Sequence, residues 1–387
     1  MSDPLNSIII DVGSSYTKVG MSSDEAPLSI FDTAIGRPRK GLSADQETQL
    51  LQSYYVGKEA LDLRQLLTVK RPVEHGIVTN WEDWTDLVRY ALDRRLCVDP
   101  SEHPVVLCEP VLNPRMNREK SLQIMFEEFV VPGLFLGSDA VFSFGSFRPS
   151  PATVDATEGT SESLTGLLVD LGAGGVQATP IYYDHFLAHC VPHATIGARE
   201  VLSYFAKLVS SSEYRFETSA DLDLLQKPMT ESWFVSKDFD CDMARPESEF
   251  ELKHTLENGR ELVVGKGRFQ CAEMLFKPKL FDYEMPSIVD VISRAISLCN
   301  PSLRDQLRSN IVLAGGMSSI PGLSARLETS SLESEGWTRV RVHQHPTHSA
   351  WLGAKMTANG SNFEASLIMK EEYDEYGPSI VRNYVCK

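Results

Sequence analysis

The chain has 387 residues, 42% hydrophobic and 23% charged, an ordinary globular composition. Acidic residues outnumber basic ones 53 to 37, giving a formal charge of −16, which argues against a general nucleic-acid or anionic-membrane binder. No stretch approaches the roughly 20 apolar residues of a membrane span, and "MSDPLNSIIID" has neither a basic leader nor a long apolar one. Seven cysteines are scattered without a C-x-x-C pair, a pattern that favours reduced thiols in a cytosolic or nuclear compartment over disulfides or zinc. At about 100–200 residues per domain, two or three domains are expected.

The first element is "SIIIDVGSSYTKVGMSS" (7–23). Three isoleucines, Asp11, a Gly-Ser-Ser turn and an alternating return strand predict a hairpin. Next, "KGLSADQETQLLQS" (40–53) is polar, with Ser43 and Gln46 spaced as a helix capping box. "SFRPSPATVDATEGTSESLT" (146–165) has almost no apolar content and predicts a surface loop. Then "LLVDLGAGGVQATPIYYD" (167–184) repeats the plan of the first hairpin about 160 residues later. An apolar strand from Leu167 to Val169 leads to Asp170, a turn with glycines at 172, 174 and 175, and a return run from Val176 to Tyr182. Such a turn can present backbone N–H groups and a carboxylate to a phosphate–metal pair. A two-copy pattern at this separation predicts duplicated domains facing each other across a cleft. Finally, in "SNIVLAGGMSSIPGLSARLE", a buried-type strand from Ile311 to Ala314 meets Gly315 and Gly316. A helix is expected to start between Gly322 and Leu327, and the glycines would let a ligand approach the backbone.

With these landmarks the chain resembles actin and the actin-related proteins. The resemblance also rests on "IGRPR" (35–39), "YVGKEA" (55–60), "VEHGIVTNWED" (73–83), "LNPRMNREK" (112–120), "QIMFEEF" (123–129), "GRFQCAEMLFKP" (267–278) and "EEYDEYGPSIV" (371–381), in order from end to end. It implies an α/β, actin-like ATPase fold, with two duplicated ribonuclease H-like domains flanking a nucleotide cleft. The outer core would comprise 1–33, 72–146 and 349–387, with a small upper lobe at 34–71. A surface loop at 147–160 would precede the inner core, 161–196 and 281–348, with its lobe at 197–280.

The resemblance implies ATP or ADP with Mg or Ca. Asp11 and Asp170 would hold the metal through waters. Gly13, Ser14, Ser15, Gly172, Ala173 and Gly174 would meet the phosphates, and Lys18 would give them a point charge. Gly315 and Gly316 would lie on the adenosine side. Several positions depart from the family pattern. Ala173 replaces a second carboxylate, and the two water-positioning residues are Asp139 and Gln177 here. On the adenosine side Ile320 and Thr347 stand for a tyrosine and a lysine, and Lys227 and Glu231 fall out of register. The expectation is retained phosphate–metal binding with at most a weak ATPase.

Two function classes stay open: an actin-like, filament-associated cytoskeletal protein with altered polymerisation, or a non-polymerising scaffold subunit of a chromatin-remodelling or dynactin-type complex. The polar 40–53 loop, and His185 and Ala188 in the receiving loop 181–189, depart from the actin longitudinal contact. Partners would be actin-like subunits or a larger complex, without nucleic-acid binding or membrane insertion. The place would be the cytoplasm and cytoskeleton, with the nucleus left open.

Overall fold

The isoleucine run becomes β1 (Ile8–Val12), and its period-two alternation feeds two cores. Ile8 and Ile10 enter the cluster that holds Trp84, Leu87 and Val88, while Ile9 packs on the other face with Ala350, Trp351 and Ala354. All three isoleucines are fully buried, as expected of a strand covered on both faces. The computed structural model describes residues 6–43, 50–147, 165–211, 214–334, 336–337, 339–382 and 384. The capping box expected from Ser43 to Gln46 runs into residues outside that set, and the insert at 147–160 and Cys386 also fall there, apart from Phe147.

The chain divides into two compact units. The first comprises Met1–Leu164, Tyr182–Ala188 and His348–Lys387. Its main sheet is built on the antiparallel meander β1, β2 (Tyr16–Met21) and β3 (Ser29–Asp32). A smaller sheet follows, with β4 (Ile35–Pro38) between β5 (Tyr55–Val56) and β6 (Leu67–Lys70). A short hairpin, β7 (Val73–Glu74) and β8 (Ile77–Val78), precedes the helix Trp81–Tyr90. Asn80 caps that helix by accepting from Asp83 N. The Arg37 guanidinium ties the small sheet to this helix, reaching Asp83 at 2.9 Å and Asp86 at 2.6 Å. β9 (Val105–Glu109) then pairs parallel to β1, and β10 (Gly133–Ser138) parallel to β9. The strand Ile368–Met369 closes the far edge of the main sheet.

The second unit comprises Thr165–Ile181 and His189–Thr347. β11 (Gly166–Leu171) and β12 (Val176–Tyr182) form its hairpin, β11 pairs parallel to Ile311–Ala314, and that strand pairs parallel to Val340–Val342. Among the described residues both units therefore carry an antiparallel hairpin whose first strand lies parallel to a later, buried one. The helix Ile288–Leu298 buries Ile288, Val291, Ile292, Ala295 and Ile296, a 3–4 spacing that makes one apolar face. Ser287 and Asp290 cap it reciprocally. Earlier in the chain, beside the two-stranded sheet Leu252–Thr255 and Glu261–Val264, Phe234, Phe239 and Phe250 gather around fully buried Phe269.

Candidate functional site

In the first hairpin Asp11 stands opposite Lys18 across the β1–β2 ladder. Lys18 Nζ lies 2.8 Å from Asp11 Oδ2, and both side chains are largely buried. The carboxylate sits inside the strand rather than on the turn, because the ladder continues to the Val12–Thr17 pair. Gly13 N donates to Tyr16 O at 3.0 Å and closes the turn. Ser14 is buried, and its Oγ accepts from Gly76 N at 2.9 Å, so it anchors the turn to the 73–78 hairpin. Ser15 O takes Thr33 N at 2.8 Å, which fixes the turn from the other side.

In the second hairpin Asp170 stands opposite Gln177. Gly172 N donates to Gly175 O at 3.0 Å, the counterpart of the Gly13–Tyr16 bond. The two hairpins thus share one register: an aspartate, its cross-strand partner seven residues on, and a glycine two residues after the aspartate. They differ in charge. Lys18 neutralises the first aspartate, whereas the Gln177 amide donates to Thr179 Oγ1 at 3.2 Å.

Backbone packs tightly around the second turn. A Cβ at Gly197 would sit 2.3 Å from Ala173 O and 2.5 Å from Gly175 N. Gly197 is the N-cap of the helix Ala198–Val209, and Ala198 N donates to Gly172 O at 3.3 Å. Gly315 has φ +82°, and a Cβ there would lie 2.5 Å from Leu171 O and 2.6 Å from Asp170 Oδ1. Gly316 is exposed and has open space around its Cα. Of this glycine pair, only Gly315 is demanded by sterics. It brings Asp170 and the turn after Ala314 into one cluster, with Gly315 N donating to Pro346 O at 2.9 Å. The turn then continues as a short 3₁₀ segment, Gly316–Ser319, before the helix Leu323–Ser334.

Asp139 is the first residue of the helix Asp139–Ser146, and its Oδ1 accepts from Ala140 N at 2.6 Å. A carboxylate there is favoured by the helix dipole. On the adenosine-side positions, Lys227 and Glu231 are exposed and pair loosely at 3.9 Å. Ile320 is buried and Thr347 exposed.

Two residues at the ends of the parallel strands went unnoticed in the sequence. Cys108 stands beside Asp11 and Gly137 in the sheet register. Burial, then the Asp11 and Asp139 carboxylates, push its thiol well above the usual range. Glu109 follows it, 3% exposed, with Asn113 Nδ2 donating to Oε1 at 3.1 Å and Arg118 Nε 3.1 Å from Oε2. The only available signal was the charge ending the buried run "VVLCE". Strands meeting a ligand do so at their C-terminal ends.

Burial raises the Glu109 carboxyl from 4.5 to about 7, with Arg118 and Asn113 opposing. A folded-state pKa above the unfolded one gives stability that is present below about pH 4.5 and lost as pH rises through about 7. The whole swing is about 3 kcal/mol. Melting of wild type and Glu109→Gln across pH 5–8 is expected to show the wild type losing more stability on the alkaline side. Equal slopes for the two proteins would refute this.

The family model for actin matches residues 2–386. The chain belongs to the actin family, and its mixed α/β architecture fits the actin-like fold. Proteins of this family generally bind a nucleotide with a divalent cation. Each unit by itself carries features that suit such a group: an aspartate in a hairpin whose turn is closed by glycine, and in the second unit the Asp170–Gly315 cradle that a Cβ would fill. No helix among the described residues is long and apolar enough to cross a membrane.

Proposed function

We propose that the protein binds ATP or ADP with Mg or Ca and hydrolyses ATP at most slowly. The shared register of the two aspartate hairpins carries this reading. Asp11 and Asp170 would hold the cation through its waters, as hard oxygen donors do. The turns at 13–15 and 172–174 would line the phosphate oxygens, with the Gly13 and Gly172 amides held in closing those turns. Lys18 would balance the phosphate charge, and Gly315 and Gly316 would lie by the adenosine. The bound cation would supply neutralisation of the phosphates.

Hydrolysis needs a water held in line with the terminal phosphate. Asp139 and Gln177 occupy the positions that would do this. Asp139 is engaged at its own helix start, and its charge repels a triphosphate. Gln177 is turned to Thr179 and cannot take up a proton. Phosphate release from Mg–ATP is the direct test. The Asp139→Gln, Gln177→His double variant is expected to release phosphate at least several-fold faster than wild type. A wild type that already turns over like a filament-activated actin would sink the reading.

The same reading divides the chain into an outer core with an upper lobe at 34–71 and an inner core with a lobe at 197–280. It makes the protein either a cytoskeletal, cytoplasmic member with altered polymerisation or a scaffold subunit of a larger complex, in cytoplasm or nucleus. Its partners would be actin-like subunits or that complex. Homopolymers should be poor, because 40–53 is polar and the 181–189 loop carries His185 and Ala188. An interface needs a packed apolar centre. Abundant two-stranded filaments by electron microscopy, with salt, magnesium and ATP at micromolar protein, would contradict this.

A further inference from the structure

Two buried thiols meet in the second unit. Cys190 ends the 3₁₀ turn Ala188–Cys190 and is fully buried. Cys299 is the C-cap of the helix Ile288–Leu298 and is 2% exposed. Cys190 Sγ donates to Leu298 O at 3.3 Å, the carbonyl joined to Cys299 N. Cys299 Sγ donates to Ala295 O at 3.3 Å. The contact joins segments distant in sequence, one shortly after the second hairpin and the other at the end of the helix Ile288–Leu298. Everything between them, including the aromatic cluster around Phe269, is the loop this contact closes.

We propose that Cys190 and Cys299 form a redox-modification site, a dithiol that a peroxide converts to a disulfide clasping the base of the 191–298 segment. A soft metal is the weaker occupant, since no group of three or more His, Cys, Asp or Glu side chains among the described residues could hold one. The chemistry balances with hydrogen peroxide as oxidant. Each thiol gives up its proton; one thiolate sulfur attacks a peroxide oxygen, the O–O bond breaks, and a sulfenic acid and a hydroxide result, the hydroxide taking up one of those protons to become water. The second thiolate attacks that sulfur, the S–S bond forms, and the hydroxyl leaves as a second water. Two thiols are oxidised by two electrons, and peroxide is reduced to two waters.

Burial decides which oxidants work. Susceptibility follows exposure and thiolate character, so the covered pair should react slowly with a small peroxide and not with a bulky disulfide. Burial first, then the neighbouring Cys190 thiol, push the Cys299 thiol up to about 12. Because the thiolate is the nucleophile, the pair stays reduced at neutral pH under mild oxidant and closes faster as pH rises. Exposed Cys97 and Cys241 serve as internal competitors. Once closed, the bond restricts a loop of more than 100 residues in the unfolded chain, which stabilises the folded form.

The test uses the full chain treated with hydrogen peroxide, then alkylated in denaturant and digested. The expected result is a Cys190–Cys299 peptide pair, lighter than the two thiol peptides by two hydrogens and separated by reductant. Its yield should rise from pH 7 to pH 9. The oxidised wild type should melt several degrees higher than the reduced form, a gain absent in Cys299→Ala. The readout on wild type does not depend on that variant folding. Full alkylation of both cysteines after Cys97 and Cys241 have been consumed would overturn the proposal. So would linkage of Cys190 to any other cysteine.

Discussion

Gly353→Ala is expected to destabilise the first unit by more than about 3 kcal/mol, the upper range for overpacking a tight core, and to lower its melting temperature by on the order of 10 °C. The helix Ser349–Ala358 crosses the helix Asp139–Ser146 with Gly353 set against Phe142. An added Cβ would lie 1.9 Å from Phe142 O, 2.3 Å from its carbonyl carbon and 2.6 Å from its Cα. These are backbone atoms, so no rotamer change relieves the contact, and the helices must separate. Separation would disturb Trp351, fully buried with Nε1 donating to Ile9 O at 3.3 Å, and the Ser349–Ser143 hydroxyl pair at 2.9 Å. Gly145→Ala is the control on the second helix. A Cβ at Gly145 meets nothing within 4 Å, so that change should be neutral or stabilise by about 0.5–1 kcal/mol through helix propensity. Calorimetry on both variants checks the pair. Similar melting of Gly353→Ala and wild type would show that the helices are not held this closely.

The hairpins were legible in the sequence because a strand's signal is local. Three isoleucines before Asp11, or Leu167 to Val169 before Asp170, declare a buried strand, and the glycines that follow declare a turn. The return run from Val176 to Tyr182 coincides with β12, and Ile311–Ala314 is the strand expected. The difference lies in the aspartates, which belong to the ladders instead of the turns. Composition alone does not fix where pairing stops. What was not legible depends on chain segments far apart. That Gly315 abuts Asp170, that Gly197 seats the Ala173 turn, and that Cys108 neighbours Asp11 all follow from parallel pairing and helix docking across many residues. "VVLCE" reads as a strand, but nothing in it says which aspartate will lie alongside. Gly353 reads as an ordinary helical glycine until Phe142 is set against it.

Gly315→Ala is expected to remove most of the thermal stabilisation that Mg–ATP gives the wild type, with affinity at least about tenfold weaker, a loss of about 1.4 kcal/mol or more. An alanine at φ +82° pays the left-handed penalty of about 1–2 kcal/mol. Its Cβ would also press on Leu171 O at 2.5 Å and Asp170 Oδ1 at 2.6 Å. Leu171 is paired with Val176 in the hairpin, so its carbonyl cannot retreat without opening the ladder. The cheaper relief is for the Asp170 carboxylate to swing away, and that carboxylate is one of the two proposed for the cation. Gly315→Ala should therefore resemble Asp170→Ala in nucleotide response while its unliganded melting falls further, since only the first carries backbone strain. Gly316→Ala, with open space around it, should keep the wild-type response. Thermal shifts of the three variants with and without Mg–ATP decide the matter. If Gly315→Ala and Asp170→Ala bind as tightly as wild type, the nucleotide reading of this hairpin is wrong. If only Gly315→Ala does, the carboxylate tolerates the intrusion and the Asp170–Gly315 cradle is not what orients it.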